Sequence, residues 1–258
     1  MTATTVPQPA QPPQPSPGTP TAPAASIARS VLAMEWTKFR TVRSTYWTLL
    51  AAVVAAVGIA ALTCSIYINR FDRLGFADRV TFNPTRFSLN GLELAQLAIG
   101  VLGVLVVTNE YSTGMIRATF AAVPQRLGVL AAKGVVFSAT VLVLGELMSF
   151  AAFFLGQSIL SSRNVEAHIG NPGVLRAVVG GGLYLTVLGL LALGLGTLIR
   201  HTAGAIAALF GLLLVLPGIV AALPPSWQDA IQKWLPINAG QAIFRNGREI
   251  GTLHQLAP

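Results

Sequence analysis

The residues of this chain that are best suited to act on another molecule lie between two apolar runs, at residues 109–126. Glu110, Arg117 and Arg126 supply charge along this stretch, and Ile116 and Phe120 are four residues apart, so they share one face of a helix. We expect a short amphipathic helix flanked by charge, which suits a groove on a soluble partner. The alternative is a loop whose charges only set the membrane topology.

The ends of this short helix are also marked in the sequence. Ser112 or Thr113 is expected to cap its amino end, and Pro124 is expected to end it. Gly114 lies between the cap and the helix, in the sequence Thr-Gly-Met-Ile-Arg.

Motifs for ATP hydrolysis and for metal binding are missing from the sequence. It contains no GxxxxGK[ST] loop, and its lysines are Lys38, Lys133 and Lys233. His168 and His201 lie in different segments between apolar runs, and neither belongs to an HExxH motif. We therefore predict a protein that is not an enzyme, with no catalytic residue, no metal site and no cofactor of its own.

One ionisable residue, Glu146, stands near the middle of a long apolar run. A charged carboxylate at that depth costs about 2.5–3.5 kcal/mol on insertion scales, so Glu146 is expected to be neutral or to face the interior of a bundle. Ser149 and Gln157 lie on the same side of a helix. These three residues could line a path for a substrate, or they could form hydrogen bonds between helices.

The elements that must position these residues are hydrophobic helices. Of the 258 residues, 53% are hydrophobic and 10% are charged, which indicates lipid as the solvent. The net charge of +8 comes from Lys and Arg scattered between apolar runs, so we exclude a nucleic-acid partner. We predict an all-α integral membrane protein, a polytopic bundle of five spans at about residues 47–68, 91–108, 129–160, 176–199 and 203–223.

Three further segments flank this transmembrane domain, which covers residues 45–223. Residues 1–25 are rich in proline and carry no charge, so we expect a disordered tail. Residues 26–44 form an amphipathic helix along the membrane surface, in which Glu35, Lys38 and Arg40 could meet protein; a simple interfacial anchor is the alternative. Residues 224–258 are expected to form short helices or loop outside the membrane.

Small residues recur along the last two spans. Gly182, Gly189 and Gly196 are seven residues apart, and Ala203, Ala207 and Gly211 are four apart. We expect both stripes to let helix backbones approach closely within the bundle.

The segment between spans two and three resembles that of the ABC-2 type transporter permeases of actinobacteria. The matching residues are Glu110-Tyr111, Thr113-Gly114-Met115-Ile116-Arg117 and Val123-Pro124-Gln125-Arg126. Residues 35–44 also resemble the amino-terminal elbow helix of that family. The family usually has six spans, whereas this sequence has no sixth hydrophobic run.

The resemblance implies the membrane-spanning subunit of an exporter in the bacterial plasma membrane, with its amino terminus in the cytoplasm. It implies a second permease copy, identical or different, and a separate ATPase subunit that binds ATP and magnesium. Residues 109–128 would be the cytoplasmic coupling loop, with Glu110, Gly114, Ile116, Arg117, Phe120 and Arg126 serving the ATPase contact. The count of Lys and Arg on the two sides of the membrane does not by itself decide the orientation.

Two other classes of function remain open at this point. An ion-coupled secondary carrier would use Glu146 as a proton relay and should show internal repeats and broken helices, which the sequence does not reveal. A membrane scaffold or immunity protein that transports nothing is favoured if the chain natively has five spans.

Overall fold

The computed structural model describes residues 24–41, 43–122, 126–232, 234–236, 238 and 240. Within these residues the regular elements are helices, and no strand is present. They are α1 (Ala24–Thr41), α2 (Arg43–Arg70), α3 (Phe76–Val80), α4 (Pro84–Leu89), α5 (Leu92–Ser112), α6 (Met115–Ala122), α7 (Arg126–Leu160), α8 (Val174–Ile199), α9 (Thr202–Phe210), α10 (Leu216–Ala221) and α11 (Pro225–Gln232).

Five helical segments are long and apolar enough to cross a membrane. They are Tyr46–Arg73, Pro84–Ser112, Leu127–Arg163, Val174–Ile199 and Thr202–Ala221. The predicted fold class, an all-α polytopic membrane bundle, is therefore confirmed. The proline-rich tail predicted at residues 1–25 lies almost wholly outside the described residues, as does the part of the carboxyl-terminal segment after residue 240.

The helices extend beyond the apolar runs that identified them. α2 begins four residues before and ends two residues after the predicted span at 47–68, and α5 continues to Ser112. Polar side chains in the last turn of a membrane helix reach toward water, so a helix does not end where its apolar run ends. The loop predicted at 109–128 is correspondingly shorter.

The centre of the bundle is α8, which packs against α5 on one side and α7 on another. Its glycines bring the backbones together: a Cβ on Gly189 would lie 2.8 Å from the Phe137 ring, and one on Gly196 would lie 3.1 Å from the Val104 carbonyl oxygen. The expectation that the α8 glycine stripe faces the bundle is therefore confirmed.

A second close approach holds α2 against the start of α5. Ala52, Ala56, Ala60 and Cys64 are fully buried and four residues apart, so they form one face of α2. A Cβ on Gly91 would lie 1.8 Å from the Ala56 carbonyl oxygen, so only glycine fits there.

The last span differs from expectation in two ways. It is built of α9, a π-helix at Gly211–Val215 and α10, in which Pro217 lacks the N–H that an α-helix would use. Its buried face carries Ala205, Leu209 and Leu213. The stripe of Ala203, Ala207 and Gly211 is not on that face, so placing this stripe inside the bundle was wrong; large apolar side chains fill the contact instead.

Candidate functional site

Several of the residues singled out by the sequence lie at one end of the bundle, which we call the α1 end. Here α5 ends, α6 follows and α7 begins, while α1 lies against the start of α7. Val31 of α1 packs with Val129 and Ala132 of α7 in a small apolar cluster. The amphipathic helix is thus in contact with protein along part of its length.

Next to this apolar cluster, four charged side chains form a closed ring: Glu35 and Lys38 of α1, Glu110 of α5 and Lys133 of α7. Lys133 Nζ donates to Glu35 Oε2 at 2.6 Å and to Glu110 Oε1 at 2.9 Å. Lys38 Nζ donates to Glu35 Oε1 at 3.2 Å and to Glu110 Oε1 at 3.0 Å. Each carboxylate in this charge ring contacts both lysines, so the charges alternate in sign.

The charge ring is buried, except at Lys38. Glu35 and Glu110 are 4% exposed and Lys133 is 5% exposed, whereas the Lys38 side chain is 27% exposed. Glu110 Oε2 is buried and has no hydrogen-bond partner among the described residues. Water therefore reaches the ring through Lys38.

Lys38 keeps its charge in this setting. Burial lowers the pKa of Lys38, but the hydrogen bonds and negative charges of Glu110 and Glu35 together outweigh burial and raise the pKa above its usual value. Lys38 therefore contributes a positive charge to the ring at neutral pH.

The turn from α5 to α6 is made by Thr113 and Gly114. Gly114 has φ +70, a left-handed conformation that glycine adopts without strain. The hydroxyls of Ser112 and Thr113 donate to the Asn109 carbonyl oxygen at 3.0 and 2.7 Å, so they cap the end of α5. Gly114 stands between these two residues and Met115, the first residue of α6, so neither occupies the N-cap position predicted for them.

α6 has one face on the bundle and one face free of it. Thr119 is buried, and Lys38 Nζ donates to its hydroxyl oxygen at 3.5 Å. Ile116 is partly buried, while Arg117, Ala118 and Ala121 are exposed.

The other predicted contact residues fall in two groups. Phe120 lies in α6, Arg126 begins α7 and Arg40 lies in α1, but the side chains of these three are outside the part of the chain that the structure describes, as are residues 123–125. Glu110, predicted to contact an ATPase, is instead buried between two lysines of its own chain.

Lys133 is the member of the ring that sequence reasoning missed. It lies alone in an apolar run, and no local motif there points to a partner. An ionisable residue inside a membrane helix normally needs a partner of opposite charge. The signal that could have found the ring is therefore this lone lysine together with the carboxylates at the ends of the neighbouring helices.

The three residues proposed to line a substrate path do not share one environment. Ser149 Oγ donates to the Val178 carbonyl oxygen at 2.6 Å, and Gln157 bonds Pro84, Ser88 and the Ala167 backbone N–H. Both side chains therefore tie the bundle together, as the packing alternative expects.

Glu146 is different from its two neighbours. It is partly buried against Gly182, where a Cβ would lie 2.6 Å from its carboxyl carbon. Its Oε2 atom is buried with no hydrogen-bond partner in the described part of the chain.

His168 and His201 lie in the two segments that join the third span to the fourth and the fourth to the fifth. His168 and His201 are exposed, and His201 Nδ1 accepts from the Gly204 N–H to cap α9. Among the described residues, no group of three or more His, Cys, Asp and Glu side chains is placed to hold a metal ion.

Comparison with known proteins gives no relative. No family model, no curated protein and no solved structure matches the chain.

Proposed function

We propose that this chain is the transmembrane subunit of an ABC-2 type exporter, which moves a drug, lipid, peptide or similar molecule with energy from a separate ATPase. The observation that carries the proposal is α6, a short helix that stands between two spans and leaves one face free. Arg117, Ala118 and Ala121 on that face offer a positive charge beside small side chains. A partner groove with acidic rims would accept this surface, which the described residues leave exposed.

The motif that resembles the permease family has a physical reason at one position. Gly114 adopts φ +70, so the Thr-Gly-x-Ile-Arg pattern needs glycine at the turn that separates α5 from α6. Arg117, three residues later, lies on the exposed face. Of the predicted contact residues whose side chains the structure describes, Arg117 is the one we retain as a direct contact, and Glu110 becomes a group that holds α5; Phe120 and Arg126 stay predicted contacts.

The proposal places this chain in a larger assembly. ATP and magnesium would be bound by the partner ATPase, and a second permease copy would complete the translocation path between the two subunits. The assembly would lie in a bacterial plasma membrane with α1 and α6 on the cytoplasmic side.

A photocrosslinking amino acid at residue 118 tests the docking of α6 in the native host. We expect ATP-dependent crosslinking to one polypeptide that carries a P-loop, and we expect Arg117→Ala to weaken it while leaving membrane insertion unchanged. The matched controls are a crosslinker at Ala77 and the variant Arg176→Ala, both at exposed positions on the opposite end of the bundle. Crosslinking at residue 118 to lipid alone would contradict the proposal.

A second candidate function, an ion-coupled secondary carrier, is favoured by Glu146. Its Oε2 atom lies buried without a partner among the described residues, and proton relays use such carboxyl groups. Two of the spans are also irregular, at the break between α4 and α5 and at the π-helix. Discontinuous helices are a feature of such carriers.

Transport into vesicles separates the two candidates. A carrier would accumulate substrate under a pH gradient without ATP, and Glu146→Gln would abolish this accumulation. Glu166→Gln is the matched control, because Glu166 also has a buried Oε2 with no hydrogen-bond partner among the described residues but lies outside the spans. Transport that requires ATP and survives Glu146→Gln would exclude the carrier.

A further inference from the structure

The charge ring joins three helices that the sequence separates widely. Its members come from α1, α5 and α7. Lys133 lies inside the apolar run of α7. Lys133 contacts both carboxylates, while its own side chain is almost fully buried. It therefore stands on the protein side of the ring, opposite the water-exposed Lys38.

The alternation of charge makes the ring a single unit. With all four residues present, two positive and two negative charges balance. Removal of any one member leaves a net charge among buried groups, which is strongly unfavourable, whereas removal of Glu35 and Lys133 together leaves the balanced pair of Lys38 and Glu110.

Stability alone gives no reason for such a ring. A buried network of ion pairs is often no more stabilising than apolar side chains of the same volume. The ring instead sets the orientation of α1. Four hydrogen bonds from the two lysine Nζ atoms to the two carboxylates fix how α1 lies on α5 and α7.

Lys38 connects the ring to α6. Lys38 Nζ lies 3.5 Å from Thr119 Oγ1, the buried hydroxyl of α6, and Gly114 is the left-handed turn that connects α6 to α5. The pose of α6 thus depends on where Lys38 is held, and Lys38 is held by the two carboxylates that Lys133 anchors.

We propose that Lys133 is a positioning residue: its positive charge balances the ring, which keeps Lys38 against Thr119 and so sets the pose of α6 on the bundle. The proposal rests on the proposed function in one respect, that α6 is the surface to which a partner would bind. Lys133 itself contacts no partner.

The distance between α1 and α6 tests this proposal without any partner. Spin labels are placed at Thr37 and Ala118, two exposed positions on α1 and α6, in the full chain; the native Cys64 is buried and is replaced by Ala. The variants are Glu35→Gln, Lys133→Met and the charge-balanced double variant, with Glu166→Gln as the matched control outside the ring.

We expect one narrow distance peak in the parent and in the control. Each single variant should broaden or shift that peak, and the double variant should restore it in large part. If Lys133→Met fails to fold, the comparison of Glu35→Gln with the double variant still tests the ring. A parent-like peak in both single variants, or a double variant as broad as the single ones, would overturn the proposal.

Crosslinking at residue 118 then separates this proposal from the proposed function. Restored crosslinking in the double variant supports both. A distance result as expected, with no P-loop protein crosslinked in the parent, would leave Lys133 as a positioning residue and refute the docking of an ATPase.

Discussion

At the scale of single residues, the chemistry of this chain is a matter of pairing charges in an apolar protein. Glu35, Glu110 and Lys133 are each less than a tenth exposed, and each has a partner of opposite charge. Glu146 lacks such a partner among the described residues. The first three residues hold α1, α5 and α7 together. Glu146 is the residue that a proton-coupled carrier would use.

The charge ring should respond to alkaline pH through Lys38. Because the pKa of Lys38 is raised in the folded protein, the stabilisation from its charge is fully present below the unfolded value of about 10.4 and is lost as the pH rises through the higher folded value. We expect the melting temperature in detergent to fall above that value in the parent. In Lys38→Met, in which Glu35, Glu110 and Lys133 remain, the fall over the same pH range should be smaller.

Measurement of melting temperature against pH for both proteins checks this expectation. Arg29, an exposed residue of α1, supplies the control variant Arg29→Met, which should keep the parent profile. Parallel profiles for the parent and Lys38→Met would show that Lys38 does not carry the effect.

The sequence predicts those parts of the site that depend on neighbouring residues and misses those that depend on residues far apart in the chain. The amphipathic α6 is local, so the pattern of residues 110–120 is enough to predict it. Glu35 and Lys133 meet across 98 positions of the chain. No local pattern reveals such a pairing, because the two residues are neighbours only in the folded bundle.

At the scale of elements, small residues decide which helices touch. Gly103 on α5 and Gly145 on α7 both face glycines of α8, and the Ala56 backbone faces Gly91. The seven-residue spacing of the α8 glycines predicted its contacts correctly. The four-residue spacing in the last span did not, because the bundle buries Leu209 and Leu213 there and a stripe carries no information about which face is covered.

Gly91→Ala should separate α2 from α5. Its Cβ would lie 1.8 Å from the Ala56 carbonyl oxygen and 2.6 Å from the carbonyl carbon, and backbone atoms cannot rotate away. We expect the free energy of unfolding to fall by about 3 kcal/mol, at the upper end of the usual cost of overpacking. Unfolding in a detergent titration measures it.

Gly58→Ala is the matched control for this change. Gly58 lies in α2 close to Ala56, and a Cβ there meets nothing within 4 Å. Replacement should be neutral or raise stability by about 1 kcal/mol, since alanine favours a helix. Equal losses in both variants would mean that the contact between Gly91 and Ala56 does not hold the two helices together.

At the scale of the whole molecule, the two ends of the bundle are built differently. The α1 end is joined by the buried charge ring, whereas the opposite end is joined by neutral hydrogen bonds of Gln157 and by the exposed pair of Arg163 and Asp72. An exposed ion pair contributes little to stability, so the opposite end depends on Gln157 and on packing. α7 takes part in both, with Lys133 at the α1 end and Gln157 at the opposite end.

Five spans require the segments that join them to alternate between the two sides of the membrane. Cysteine at Ala121 and at His201 should therefore be labelled from one side, and cysteine at Ala77 and at His168 from the other; all four positions are exposed. The native Cys64 is buried and should stay unlabelled in the folded protein. A charged maleimide applied to intact cells and to inverted vesicles makes the measurement.

The same labelling decides whether α6 is available to an ATPase. If α6 docks on a cytoplasmic subunit, Ala121→Cys must react in inverted vesicles and stay unreactive in intact cells, because the reagent does not cross the membrane. Labelling of both Ala121→Cys and Ala77→Cys from the same side would refute the five-span arrangement itself. Labelling of Ala121→Cys from outside, with alternation preserved, would keep the fold and place the charge ring and α6 where ATP is absent.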